Sequence, residues 1–383
     1  MKNILYITYV DFFQGAFPGV EAKIDGHIKS MAAAGYHVDR ITQYGNAAQL
    51  VDMESGKTEL FQAVVSQRFS LLKAVKAALA RRHYAAAYIR FQFFSEDVRR
   101  MVLCLKKSGA KVLMEIPTFP YEGELHQQGP KGELKLLCDR MFRRACAKNI
   151  DVFITVGEGE NRIYGTPCIR ILNGLDYQKH PLRHVRPGRP NEVHLLAVAS
   201  MLPWHGYDRV LNGLAHYYQN AGQTNFVLHL VGEGRESAKY RQLVAEHQLD
   251  SHVIFHGMKG GSELNSIADE CDVAIGSLAA FRIGITKMST LKSREYCAWG
   301  FPTVNATPTD ILDADDPFCL FVPEDESAVD MEAVAAFYQR VYFESGLTAE
   351  QIAHAIREKA RNRSDVDIVF QPVLDYIRNG TQS

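Results

Sequence analysis

Arg282, Lys287, Ser289, Thr290, Lys292 and Glu295 fall within fourteen residues of one another, and their side chains do complementary chemistry. Guanidinium and ammonium groups neutralise anionic oxygens, hydroxyls donate to them, and a carboxylate accepts two hydrogen bonds from a vicinal diol. A ligand with a diphosphate at one end and a ribose at the other would use all of these groups. The flanking sequence predicts the elements that must hold them. DVAIGSL, from Asp272 to Leu278, is an apolar run of the kind that forms a buried strand, and FPTVNA from Phe301 is a second. Between them, Leu291 to Trp299 reads as a helix stopped by Gly300 and Pro302. Strand, loop, helix and strand make a unit of a parallel sheet, whose ligands sit at the carboxyl ends of the strands. There the N–H groups of Ser289, Thr290 and Leu291 would face a phosphate, Arg282 and Lys292 would add charge, and Glu295 would stand one turn further in. An ordinary βα turn with solvated Arg, Lys and Glu has the same spacing, so these residues alone leave both readings open.

The same alternation runs through the whole chain. NILYITYV, HVDRITQY, AAAYIRF, KVLMEI and DVFITVG predict strands in the first half, with helices from about Val20 to Ala34 and up to Gly109. KVLMEI opens into PTFPYEGE, a rigid turn at a strand end that carries Tyr121, Glu122 and Glu124. HVRPGRPNEV, from His184 to Val193, has the polar, proline-rich look of a linker. HLLAVASML, FVLHLVGEG and HVIFHGMKG then predict strands of a second half, with a helix from about Tyr207 and C-terminal helices over 349–361 and 369–378.

Composition sets outer limits. A chain of 383 residues suggests two domains, and 46% hydrophobic with 23% charged residues is ordinary for a soluble globular protein. No apolar run approaches the roughly 20 residues a membrane span needs, and the first residues read as a strand, not a leader. Seven cysteines without a Cys-x-x-Cys pair point to free thiols in a reducing compartment. No complete Gly-x-Gly-x-x-Gly is present, which disfavours a dinucleotide enzyme. Asp313-Ala314-Asp315 looks like a metal motif but sits in a turn-like run, and reads as surface. Charge is uneven: residues 1–180 carry 25 Lys and Arg against 18 Asp and Glu, the remainder 18 against 26. The excess lies in Leu72–Arg82, Arg99–Lys111 and Lys135–Lys148, each interleaved with apolar residues. Such a basic half suits a peripheral contact with anionic lipid, although solvated helix faces look the same.

Ser277 to Val304 resembles the nucleotide-sugar-binding region of GT-B fold retaining glycosyltransferases of the family 4 (group 1) kind. The hallmark of that family is Glu-x7-Glu followed by a Gly-Pro-Val type turn. Glu295, Gly300, Pro302 and Val304 match its second half, while Lys287 stands where the first glutamate belongs. The variant with an arginine in the loop and Leu-Lys-x-Arg-Glu-Tyr on the helix is most similar, here Leu291, Lys292, Arg294, Glu295 and Tyr296. Asn173-Gly174-Leu175-Asp176 resembles the family's link between halves. The resemblance implies an α/β GT-B fold, two Rossmann-like parallel-sheet domains with an interdomain cleft. Residues 1–183 would bind the acceptor, 184–364 the nucleotide-sugar, and 365–383 would form a helix crossing back to the first domain.

It also implies roles. Arg282, Lys292 and His205 would be catalytic, stabilising a leaving diphosphate; His205 and Gly206 stand where most relatives carry Lys-Gly, and Ala199 or Ser200 where they carry Arg. Ser289, Thr290, Leu291 and Gly19 would contact the donor phosphates, Glu295 the ribose, and Gly257, Met258 and Lys259 the base. Thr118, Tyr121 and Glu124 would meet the acceptor, with Pro117 or Thr118 replacing a sugar-contacting histidine. The implied enzyme moves a hexose-type sugar from a nucleoside diphosphate, UDP before GDP, to a glycan or lipid-linked acceptor in surface polysaccharide synthesis. No metal, no cofactor and no nucleic-acid partner is implied, and the expected location is cytoplasmic, with a peripheral contact at the inner face of the membrane left open. A nucleotide-sugar epimerase of the same fold and a catalytically silent glycan-binding or partner subunit are the rival readings.

Overall fold

Strand β1 (Lys2–Asp11) is buried continuously from Ile4 to Tyr9. Burial on both faces is what a central parallel strand with helices on each side requires. The computed structural model describes all residues except Met1, 14–17, 63–66, 127, 158 and 381–383, and the side chains of 18, 67, 68 and 124. The chain divides into two compact units, Met1–Gly174 with Val366–Ser383, and Leu175–Asp365.

In the first unit β1 is followed by α1 (Pro18–Ala33), β2 (Tyr36–Tyr44), β3 (Ala47–Asp52), β4 (Thr58–Phe61), α2 (Gln67–Arg81), β5 (Ala86–Arg90) and α3 (Glu96–Lys107). Then come β6 (Lys111–Ile116), α4 (Glu122–His126), α5 (Pro130–Ala147), β7 (Val152–Val156), β8 (Arg162–Ile163) and β9 (Thr166–Ile171). The nine strands lie in the order β4-β3-β2-β1-β5-β6-β7-β9-β8, parallel except at the β2–β3, β3–β4 and β8–β9 pairs. Leu5, Ile7, Ile89 and Met114 pack on one face; Ile4, Tyr6, Tyr88 and Ile154 pack on the other with Phe370, Leu374 and Ile377.

The second unit runs β10 (Glu192–Val198), α6 (Tyr207–Gln219), β11 (Asn225–Val231), α7 (Ser237–Glu246), β12 (Val253–Gly257), α8 (Gly261–Ala268) and β13 (Val273–Ile275). It continues with α9 (Leu291–Trp299), β14 (Thr303–Asn305), β15 (Cys319–Phe321), α10 (Met331–Gln339) and α11 (Ala349–Ser364). Its six parallel strands lie in the order β12-β11-β10-β13-β14-β15. Within β10, Leu195 and Ala197 join the larger core and Leu196 the smaller one on the opposite face, the two-residue period of a strand. Helices α12 (Val366–Val369) and α13 (Gln371–Asn379) return to the first unit. Lys111 caps that return by donating to the carbonyl of Ile377 at 2.9 Å.

The expected strands and helices are present, with three differences. The antiparallel β3–β4 extension and the short β8–β9 pair are additional. These strands are two to six residues long, too short for a periodic signal, and draw their stability from the neighbours they pair with. The units part at Gly174 and Leu175, ahead of the suggested 183/184 boundary. Leu175 to His180 belong to the second unit because Leu175 N donates to Ser364 O and Arg357 donates to the carbonyls of Tyr177 and His180. All seven cysteines are free thiols, five of them buried. Among the described residues no helix is long and apolar enough to cross a membrane.

Candidate functional site

The second sheet changes direction between β10 and β13. The chain leaves β10 for β11 on one side and arrives at β13 on the other, so the loops leaving these two strands diverge and open a crevice at their carboxyl ends. Those loops are tied together by Leu278 N donating to His205 O at 3.0 Å and Ala279 N to Trp204 O at 3.2 Å. Gly206 makes the approach possible. It adopts a left-handed backbone with φ 67°, and a Cβ there would stand 2.8 Å from the Ala279 methyl.

Lys292, in the first turn of α9, points its ammonium into this crossing. Nζ lies 3.1 Å from Ser277 Oγ, 3.2 Å from His205 Nδ1 and 3.3 Å from the Tyr207 hydroxyl, and 5.5 Å from the centre of the Tyr207 ring. Among the described residues no carboxylate pairs with it, and burial pushes its pKa down to about 7, with Glu295 opposing the shift. His205 is pushed down to about 3, by burial first and Lys292 second. It is therefore neutral at physiological pH, and contributes a hydrogen bond instead of the pH-dependent charge its sequence position suggested. Because the Lys292 ammonium donates to Nδ1, the ring proton is assigned to Nε2, which leaves Nε2–H as a donor. Ser277, fully enclosed at the end of β13, completes the group. Its role escaped the sequence, where the only signal was a serine directly after an apolar strand.

The remaining residues of Leu-Lys-x-Arg-Glu-Tyr set this geometry. Thr290 caps α9 by accepting from Ser293 N, and the first-turn N–H groups beyond it have no intrahelical acceptor. Arg294 is completely buried. It bonds Asp310 at 2.6 Å, Thr290 O at 3.0 Å and Ser289 Oγ at 3.3 Å, so it fixes the 289–290 backbone from beneath. Tyr296 takes the Val198 N–H on its hydroxyl at 2.8 Å and anchors the end of β10. Glu295, one turn from Lys292, has its pKa raised by burial, with His180 and Lys292 opposing the shift.

Arg282 does not join that group. Its guanidinium is forked between Asp208, at 3.1 and 3.0 Å, and Glu326, and it donates to Pro203 O at 2.7 Å. It thereby staples the loop after β13 to the loop after β10, and two carboxylates already neutralise its charge. Gly257, Met258 and Lys259 end the edge strand β12, two strands from β10; Met258 is 74% exposed, and Lys259 pairs with Glu263 at 2.6 Å. Lys287 is exposed.

The remaining sequence-predicted positions lie in the first unit. Gly19 is in the first turn of α1, next to residues 14–17 outside the description. Thr118 and Tyr121 line a pocket of about 180 Å³ at the ends of β5 and β6, together with Phe91, Phe93 and Lys135. The Tyr121 hydroxyl is consumed internally, by Asp139 at 3.0 Å and Tyr164 at 3.1 Å, so it offers the pocket a ring face. Glu124 is in α4 and its side chain is outside the description. Among the described residues, His37, Asp39 and Asp52 form the one group close enough to hold a metal. Arg82 occupies it, donating to Asp39 at 3.1 Å and Asp52 at 2.8 Å.

No protein-family model and no curated protein sequence matches the chain. Solved structures do. The chain is similar to a glycosyltransferase from Rickettsia africae ESF-5, with a TM-score of 0.65 at 13% identity over 98% of each chain. It is similar to Anabaena HepE in complex with UDP and glucose, with a TM-score of 0.59 at 14% identity over 99% of this chain and 100% of that one. It is also similar to sucrose-phosphate synthase from Thermosynechococcus elongatus, with a TM-score of 0.61 at 15% identity over the whole of both chains. At such identities the likeness is one of fold, and the fold is GT-B, two Rossmann-like units.

Proposed function

We propose that this chain is a retaining, family 4-like glycosyltransferase. It moves a hexose-type sugar from a nucleoside diphosphate, UDP before GDP, to a glycan or lipid-linked acceptor in surface polysaccharide synthesis, without a metal. One observation carries the reading: an ammonium without a carboxylate partner among the described residues, a neutral imidazole and a helix start converge at the switch point of the second sheet. A helix start and a buried cation together suit a diphosphate. The GT-B fold and the UDP held by Anabaena HepE favour a uridine donor.

In the proposed reaction the acceptor hydroxyl oxygen forms a bond to the anomeric carbon on the face the diphosphate leaves. The bond from that carbon to the phosphate oxygen breaks, and the departing diphosphate oxygen takes the hydroxyl proton. Lys292, the His205 Nε2–H and the amides of 289–291 stabilise the charge gathering on that oxygen, where preorganised donors lower the barrier most. Glu295 accepts from the ribose diol. Arg282 sets the loop and is a second cation for the diphosphate once Glu326 yields to the ligand. The first unit supplies the acceptor pocket at Thr118 and Tyr121.

Incubation with a panel of UDP- and GDP-sugars tests this. Slow release of UDP, accelerated by acceptor, is the expected result. An altered sugar on an intact diphosphate would establish the epimerase, and no nucleotide binding at all would leave a glycan-binding subunit.

A further inference from the structure

The three basic runs of the first unit have different fates in the structure. On α2, Arg81 pairs with Glu59 at 2.6 Å and Arg82, just past the helix, with Asp52 at 2.8 Å, while Lys76 is exposed without a side-chain partner among the described residues. On α3, Arg99 and Arg100 both pair with Glu96 and Lys106 pairs with Asp151 at 2.8 Å, while Lys107 is exposed without a side-chain partner among the described residues. On α5, Arg143 is held by Asp139 and Glu122. The exposed Lys131, Arg140 and Arg144 of that helix, and Lys148 at its end, have no side-chain hydrogen bond or ion pair among the described residues. The one acid exposed on α5, Glu133, is bonded to His126.

The same helix face is apolar. Leu134, Leu137 and Met141 are 69, 60 and 68% exposed, and they are three of the eleven large apolar side chains exposed among the described residues. Their spacing of three and four puts them in one stripe, roughly 10 Å long. Ala145 continues the stripe, Lys131 borders it on one side, and Arg140 and Arg144 border it on the other. The opposite face of α5 is anchored through Gly132, Leu136, Asp139, Cys146 and Ala147. The helix is therefore a fixed element, folded before anything covers its outer face. Exposed apolar residues in one stripe are uncommon on a helix of a soluble protein, and cationic edges select what can cover them.

We infer that the outer face of α5 docks this protein on an anionic lipid bilayer, with Leu134, Leu137 and Met141 in the headgroup–acyl boundary and Lys131, Arg140, Arg144 and Lys148 against lipid phosphates. The unpaired positive charge decides the partner: a second copy of the same face would bring like charges together, whereas an anionic surface complements four cations at once. Lys135, on the same helix, reaches inward, lies 5.7 Å from the Phe93 ring and lines the pocket of Thr118 and Tyr121. The bilayer would thus lie along a helix that contributes Lys135 to that pocket. Docking itself does not depend on the reaction proposed above.

Sedimentation of the full chain with vesicles tests the inference. Binding is expected to vesicles of phosphatidylcholine mixed with phosphatidylglycerol and not to phosphatidylcholine alone, and to weaken as salt is raised. Replacing Arg140 and Arg144 with glutamine removes two surface charges and should weaken binding about 25-fold. The double substitution Leu137→Ser and Met141→Ser should weaken it on the order of tenfold or more. All four side chains are exposed, so the variants should melt with the wild type; a melting scan on each checks that. Equal binding to both vesicle types, or undiminished binding by both folded variants, would overturn the inference. So would a dimer in solution that Leu137→Ser with Met141→Ser dissolves, since the stripe would then be its interface.

Discussion

Replacing Lys292 with methionine keeps the stem of the side chain and deletes only the ammonium. The folded lysine titrates at about 7, whereas in the unfolded chain it titrates near its ordinary value of about 10.4. Between those values the unfolded state holds the proton and the folded state has released it, so wild-type stability rises with pH through that window. At about 1.4 kcal/mol per pH unit, this one group contributes a rise of roughly 2–3 kcal/mol from pH 7 to pH 9. The variant lacks the group, and its stability relative to the wild type should fall by that amount over the same interval; other titrations cancel in the difference. Both tryptophans, Trp204 and Trp299, lie in the second unit, so urea unfolding followed by their fluorescence reports on the relevant half of the chain. The ligand side of the experiment is separate. Loss of a charge-assisted contact should weaken UDP binding roughly 10- to 100-fold and slow sugar transfer by about 10²–10³. A stability difference flat between pH 7 and 9 would refute the burial of the ammonium. UDP affinity within about threefold of wild type in a folded variant would refute its place against the diphosphate.

Four further outcomes follow from the same geometry. Arg294→Met leaves Asp310 buried without its partner and should cost about 3–5 kcal/mol in denaturant unfolding, with Asp310→Asn similar in sign; a neutral result would deny that the pair holds the loop. Gly206→Ala forces a methyl against Ala279 in a left-handed backbone and should cost about 1–3 kcal/mol, with weaker UDP binding measured by calorimetry. Glu295→Gln should weaken UDP binding about tenfold while leaving binding of inorganic pyrophosphate unchanged; equal losses for both ligands would remove Glu295 from the ribose. Glu326→Gln removes one of the carboxylates neutralising Arg282 and should tighten UDP binding severalfold, whereas no change would leave Arg282 a purely structural staple.

Much of the second unit could be read from residue order alone. Leu291–Trp299 is a helix because Thr290 caps it and Gly300 ends it, and α6 begins at Tyr207 directly after Gly206; both depend on contacts within a few residues. The alternation of strand and helix was legible for the same reason, since burial on both faces of a parallel strand writes a continuous apolar run. Lys292 and Glu295 share a face by helical spacing, which needs no tertiary knowledge.

Other features depend on partners distant in sequence. Whether a cation keeps its charge available is decided by the acids that reach it: Asp208 and Glu326 neutralise Arg282, Asp310 locks Arg294, and the hydrogen bonds of Lys292 among the described residues go to neutral groups. Ser277 and His205 are 72 residues apart and meet only because β10 and β13 are neighbours in the sheet. The basic runs of α2, α3 and α5 look alike as strings, and only packing shows that the arginines of the first two are paired while Arg140 and Arg144 of the third lie open beside an exposed apolar stripe. Local propensity and burial period are short-range properties and so are written in the sequence. Charge compensation and desolvation depend on which segments the sheet order brings together, and only the tertiary structure decides them.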